Sequence, residues 1–167
     1  RLLDDLNYYA DIGDTPMEGS VSILVAHVLS YSYQSDSALE YFKRADSLFS
    51  KLGLTNYVVK NNINEASCLR RMGRGRDCMM LLDSLLNNPV VKTDFFAYNT
   101  VLRNTYNYTK DVSYLHRAHD LLMQRDSTLA ANAVIEYLLS TYYLEHGRDT
   151  ARFDHYASRA FSRVQQV

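Results

Sequence analysis

His116 and His119 stand three residues apart, a spacing at which two imidazoles on one helix can share a metal ion, but no third ligand follows at a diagnostic distance. The pair is therefore read as packed or solvated. Gly73-Arg74-Gly75-Arg76 has the glycines of a phosphate loop but lacks a preceding strand and the Lys-Ser/Thr ending, so it reads as a helix-helix turn. Asp4 with Asp5, Asp149 with Asp154, and Glu136 with Glu145 are carboxylate pairs of the kind that soluble helices expose, with no apolar pocket evident to raise a pKa. The scattered Ser, His and Asp residues form no nucleophile-base arrangement. Cys68 and Cys78 fit neither a zinc nor a redox spacing, and two buried thiols are favoured over a bridge. No enzymatic activity, cofactor or metal is expected.

What remains is recognition chemistry. Lys60, Asn64, Ser67 and Arg71 fall on one helical stripe, and Asn99, Arg103 and Asn107, at steps of 4 and 4, make a comparable one. Asn side chains can hold peptide amides through paired donor and acceptor, while Arg and Lys can hold carboxylates. Together they would suit an extended peptide. A solvated helix face is the plain alternative for each stripe.

These residues need elements to carry them. The 167 residues, 47% hydrophobic and 22% charged, are enough for one domain with a continuous core. A net charge of -1 provides no general field to attract phosphate backbones, so direct nucleic-acid binding is not expected. The most apolar piece, residues 21–29, is interrupted by Ser22 and His27, which argues against a membrane span. Two prolines and six glycines leave few breaks and favour long helices. The chain starts at Arg1 and ends inside an expected helix, so a piece of a longer protein is expected, with periplasm and cytoplasm both open as its compartment.

Ala38, Phe42, Ala45, Phe49 and Leu52, at steps of 4, 3, 4 and 3, predict one buried stripe, and Cys78, Leu82 and Leu85 repeat the same steps. Positions 38 and 78 are a period of 40 apart, and positions 85 and 118 a period of 33, both within the window for helical-hairpin repeats. Gly53, Gly73 and Gly147 punctuate the helices, and Pro89 is expected just past the end of one. Ser37 with Glu40 has capping-box spacing, Thr55 or Asn56 can cap the next helix, and Asp77 begins another. A single domain over residues 1–167 is expected: a helix at 1–12, then hairpins at 18–52, 55–90, 92–125 and 127–165. Phe95, Phe96, Leu102, Val112, Leu115 and Leu122 are expected in the core of the third.

The run Ala26, Leu29 and then Ala38-Leu39-Glu40-Tyr41-Phe42-Lys43-Arg44-Ala45 resembles the tetratricopeptide repeat, and Ala66, Leu69, Gly73, Cys78, Leu82 and Pro89 fall on its pattern a second time. The resemblance implies an all-α, right-handed superhelical stack of antiparallel helix hairpins. It also implies that the first helix of each hairpin lines a concave face. On that face His27, Tyr31, Lys60, Asn64, Ser67, Arg71, Asn99, Arg103, Asn107, Tyr137 and Thr141 would form a ligand-binding groove for a peptide or protein partner. The alternating periods and the Lys51-Leu52-Gly53 helix ending are similar to tetratricopeptide regions of bacterial regulators, which implies a non-catalytic sensor or interaction region of a transcriptional or two-component protein. A glycan-binding helical-repeat lipoprotein and a purely structural assembly module, including a homo-oligomer, stand as alternatives.

Overall fold

The computed structural model describes residues 1–125, 130–147 and 149–165. Among these residues every regular element is a helix, as the 4-and-3 apolar spacing requires. The chain divides into two compact units, Arg1–Tyr98 and Asn99–Val167.

The first unit holds α1 (Leu2–Asp11), α2 (Thr15–Tyr31), α3 (Ser35–Lys51), α4 (Thr55–Arg71), α5 (Gly75–Asn87), α6 (Pro89–Thr93) and the start of α7 (Phe95–Thr109). From α1 to α6 each helix packs on the one before it. One turn geometry recurs. Gly13, Gly53 and Gly73 have φ between 66° and 72°, and Tyr33 has φ 62°. In all four turns the amide just past the left-handed residue donates to a carbonyl five residues earlier: Asp14 to Tyr9, Gln34 to Leu29, Leu54 to Phe49 and Arg74 to Leu69. This is the Schellman closure, which satisfies the last carbonyls of each helix and reverses the chain.

That turn corrects three expected helix starts. Each following helix begins two residues after the left-handed position, at Thr15, Ser35, Thr55 and Gly75. Ser37, Thr55 and Asp77 are therefore already inside their helices, and the N-cap positions fall to Gln34, Leu54 and Arg74, none with a side-chain capping bond. Asp77 instead pairs with Arg74 at 2.6 Å. Pro89 does more than end α5: it opens the short α6, capped by Asn88, whose side chain accepts from the Val90 amide at 2.8 Å.

The helices of the first hairpin meet through small residues. Ala26 and Ala38 are both wholly buried, and Phe42, Ala45 and Phe49 continue the stripe along α3. Gly19 lets α2 approach the Phe49 ring, where a Cβ would stand 2.8 Å from two ring carbons. Phe49 is 1% exposed and lies against Tyr57 at 5.1 Å, so the ring has little room to yield. Gly19→Ala should thus be destabilising: overpacking of about 1–3 kcal/mol outweighs the roughly 1 kcal/mol gained in helix propensity. A lowered denaturation midpoint is the expected reading, and a raised one would show that the contact relaxes freely.

The second unit contains the rest of α7, then α8 (Ser113–Arg125), α9 (Ala130–His146) and α10 (Thr150–Val164). α8 packs on α9 and α9 on α10. Leu102, Leu115, Ala118, Leu122 and Leu139 are wholly buried among them. No glycine is available between α7 and α8, and Lys110 takes the left-handed conformation instead, at φ 60°. Phe96, expected in the core, is 58% exposed, because it follows directly on Phe95 at the start of α7 and points away from the stripe of Ala97 and Val101.

Candidate functional site

In the first unit, the exposed or half-buried polar residues of α4 meet the C-terminal turn of α2. Arg71, the last residue of α4, is exposed, yet its guanidinium is held in place. One nitrogen donates to Ser30 Oγ at 2.5 Å, and the guanidinium carbon lies 4.6 Å from the centroid of the Tyr31 ring. Ser30 is buried and its hydroxyl donates to Cys68 Sγ at 3.4 Å, so the acceptor is itself anchored to α4. Among the described residues no carboxylate lies within ion-pair distance of Arg71. Arg44, Arg74, Arg152, Arg159 and Arg163 each have one. A cation fixed by an aromatic face and a hydroxyl, with no counter-ion, offers its remaining donors to an anionic group.

His27 stands one turn before Ser30 on α2, half-buried, with its ring edge-on to Phe42 at 5.5 Å between centroids. Burial lowers its pKa, and the Arg71 charge lowers it further, so the imidazole is neutral at neutral pH and the charge offered to an anionic group beside it is that of Arg71. Ser67 and Asn64 continue the stripe back along α4, both half-buried, with the Ser67 hydroxyl donating to the Ile63 carbonyl at 3.1 Å. Lys60 is exposed at the far end, its Nζ 6.0 Å from the Tyr57 ring. Six predicted residues, His27, Tyr31, Lys60, Asn64, Ser67 and Arg71, therefore belong to α2 and α4 within one unit. Ser30 is the member that pattern reading missed; a serine on an apolar stretch gives no signal of its own.

Within the second unit the predicted residues separate. Asn99 is not a groove residue: it is 7% exposed, and its amide donates to the Ala118 carbonyl at 3.2 Å, tying α7 to α8. The α3–α4 joint of the first unit uses the same device, with Asn61 donating to the Phe42 carbonyl at 2.8 Å from α4 to α3. Desolvating an amide is tolerable when it bridges helices in this way. Arg103 and Asn107 are half-buried on α7. Tyr137 is exposed and Thr141 donates to its carbonyl at 3.0 Å, and both line an apolar cleft between α9 and α10.

The chemistry-bearing residues first considered have packing partners. His116 Nε2 lies 2.7 Å from the Tyr143 hydroxyl and His119 Nε2 3.3 Å from Glu136. Among the described residues no three His, Cys, Asp or Glu side chains are placed to hold a metal. Cys68 and Cys78 are free and buried, and burial raises the Cys78 pKa. Glu136 corrects its expected exposure: it is wholly buried, with Arg163 at 2.7 Å and Arg159 at 2.9 Å. Its place on the stripe of Asn132, Ile135, Leu139 and Tyr143 was the available signal. No described helix is long and apolar enough to cross a membrane.

The family model described as the SusR N-terminal TPR domain matches residues 30–120, a span that includes Arg71 and its partners Ser30 and Tyr31. No curated protein matches the chain.

Proposed function

The chain belongs to the family of the SusR N-terminal TPR domain, and on that premise we propose that it is the ligand-receiving region of a larger bacterial regulatory protein, holding an anionic peptide segment of its partner on the α2–α4 face. Tetratricopeptide-repeat domains are protein-interaction scaffolds, and the fold here is of that kind. The observation that carries the finer reading is Arg71, a guanidinium oriented by Tyr31 and Ser30 and lacking a carboxylate among the described residues. Asn64 and Ser67 on the same stripe supply neutral groups suited to peptide amides beside it. The charge selects the anion, and the neutral stripe tolerates an extended backbone.

Arg71→Ala tests this directly. Peptides selected from a random library on the wild-type chain should be enriched in free carboxylates and should bind the variant about tenfold more weakly, the low end for a charge-assisted hydrogen bond because the site is exposed. The denaturation midpoint should fall only slightly, since the substitution removes the contacts of one exposed guanidinium with Ser30 and Tyr31. Binding should also weaken as salt is raised. Equal affinity for the variant, or no preference for carboxylates, would remove the assignment and leave the scaffold alone.

A further inference from the structure

On another side of α4 from Arg71, the side chains of α3, α4 and α5 border a groove of about 340 Å³ that lies wholly within the first unit. Glu65, which α4 contributes to it, comes six residues before Arg71 and so about 120° round the helix. Buried Leu39 and Leu69 and half-buried Leu81 give the groove an apolar floor. Exposed Lys43 from α3 and Arg74 at the start of α5 add two cations. Charges of both signs therefore meet apolar surface in one concavity, at the small end of the roughly 300–1,000 Å³ typical of sites for small molecules.

Glu65 is the group left unsatisfied. It is half-buried, and burial raises its pKa, with the Asp46 charge acting in the same direction and Lys43 and Arg74 against it. Asp46, also half-buried, is held by the Asn61 amide at 2.6 Å and the Asn62 amide at 3.0 Å. Glu65 accepts no hydrogen bond and forms no ion pair among the described residues. Lys43 likewise has no ion-pair partner among them, while Arg74 is taken up by Asp77 at 2.6 Å. A partly desolvated carboxylate and a cation thus stand in one groove without closing on each other.

We propose that this groove binds a small zwitterion, an apolar amino acid or short peptide, with its ammonium on Glu65, its carboxylate on Lys43 and its side chain over Leu39, Leu69 and Leu81. A simple cation would meet Lys43 and Arg74 as like charges, and a simple anion would meet Glu65 with Asp46 close by. A molecule carrying both signs is matched at each end. The apolar floor favours a hydrocarbon side chain between them. This ligand is separate from the anionic peptide assigned to Arg71 and does not depend on it.

Isothermal titration calorimetry of the 167-residue chain with L-leucine and with leucyl-leucine tests this and separates the two sources. At least one should bind with a dissociation constant of about 1 mM or tighter. N-acetylation removes the ammonium and amidation removes the carboxylate, and each should weaken binding about tenfold or more, the scale of a charge-assisted hydrogen bond. Glu65→Gln should weaken the unmodified ligand to the same extent and abolish the effect of N-acetylation, and Lys43→Gln should do so for amidation. Neither side chain holds a hydrogen bond among the described residues, so circular dichroism should be unchanged in both variants. Tighter binding of leucine would assign the free amino acid, and tighter binding of leucyl-leucine the peptide. Absence of binding by both, or binding that Glu65→Gln leaves unaltered, would overturn the proposal.

Discussion

Glu136→Ala should lower the unfolding free energy by about 3–5 kcal/mol, the loss expected when one partner of a buried ion cluster is removed and the others are left uncompensated. The Glu136 side chain is wholly buried, with Arg163 at 2.7 Å, Arg159 at 2.9 Å and His119 at 3.3 Å. Arg163 is itself only 13% exposed, so its charge cannot recover full hydration once the carboxylate has gone. The assembled cluster need not be a net source of stability, because desolvation offsets much of the attraction. The asymmetry lies in breaking it. Glu136→Gln keeps the shape and an acceptor and should cost less than alanine.

The same cluster carries a pH signature. Burial acts to raise the Glu136 pKa, but the hydrogen bonds from Arg163, Arg159 and His119 outweigh it, and the result lies below the ordinary 4.5. Between the folded and unfolded pKa values the unfolded chain binds the extra proton, so stability rises with pH in that window. The contribution is therefore full above about 4.5 and is lost as pH falls through the lower folded value. Denaturation at several acid pH values should show this loss in the wild type, while Glu136→Gln should lack its part. His116, whose pKa burial lowers from 6.5, also costs stability as pH falls below that value, so the comparison with Glu136→Gln is what isolates the carboxylate.

The second large effect belongs to the first unit. Phe42→Ala should cost about 3–5 kcal/mol, the range for truncating a buried aromatic when the surroundings collapse only in part. Phe42 is wholly buried between Ala38 and Ala45, carries the His27 ring on its edge, and its carbonyl accepts the Asn61 amide at 2.8 Å. The backbone is thus pinned where the cavity would open. Phe42→Leu, which keeps most of the volume, should cost much less. Ala38→Leu should lose about 1–3 kcal/mol by overpacking the crossing with Ala26. Denaturation midpoints for the three variants should rank alanine lowest, and an unchanged midpoint for Phe42→Ala would mean that the crossing is not where α2 and α3 are held together.

The hairpin architecture was legible because it follows from spacing. Ala38, Phe42 and Ala45 recur as Cys78, Leu82 and Leu85, and a single helix pair has nowhere to bury such a stripe. Helix starts were less legible, because serine, threonine and aspartate signal caps only when the turn leaves them outside the helix. Here the Schellman turn sets the start two residues after Tyr33, Gly53 or Gly73 and overrides that chemistry. Tyr33 and Lys110 in left-handed positions have no local sequence signal at all; the packing of the helices on either side holds them there.

The proposed binding face was legible in part for a related reason. Helical period places Lys60, Asn64, Ser67 and Arg71 on one stripe, and that much needs only α4. Period alone does not say whether an asparagine faces water or bridges helices, which is why Asn99 read as a ligand contact although it bonds Ala118. Glu136 failed in the opposite sense, since its partners Arg159 and Arg163 lie 23 and 27 residues away and no window joins them. The orientation of Arg71 by Ser30, 41 residues earlier, is likewise a property of the folded hairpins.

The most direct test of the recognition face is a nitrogen-15 NMR titration of the wild-type chain with a library-selected peptide carrying a free carboxylate, followed by the same peptide amidated. The largest shift changes should fall on the backbone amides of Ser30, Tyr31, Ser67 and Arg71, with the Arg71 side-chain Nε–H moving as well, and amidation should abolish most of the Arg71 response. Shifts confined to α9 and α10, or a response at Arg71 that is the same for the amidated peptide, would show that the ligand is not held through this guanidinium.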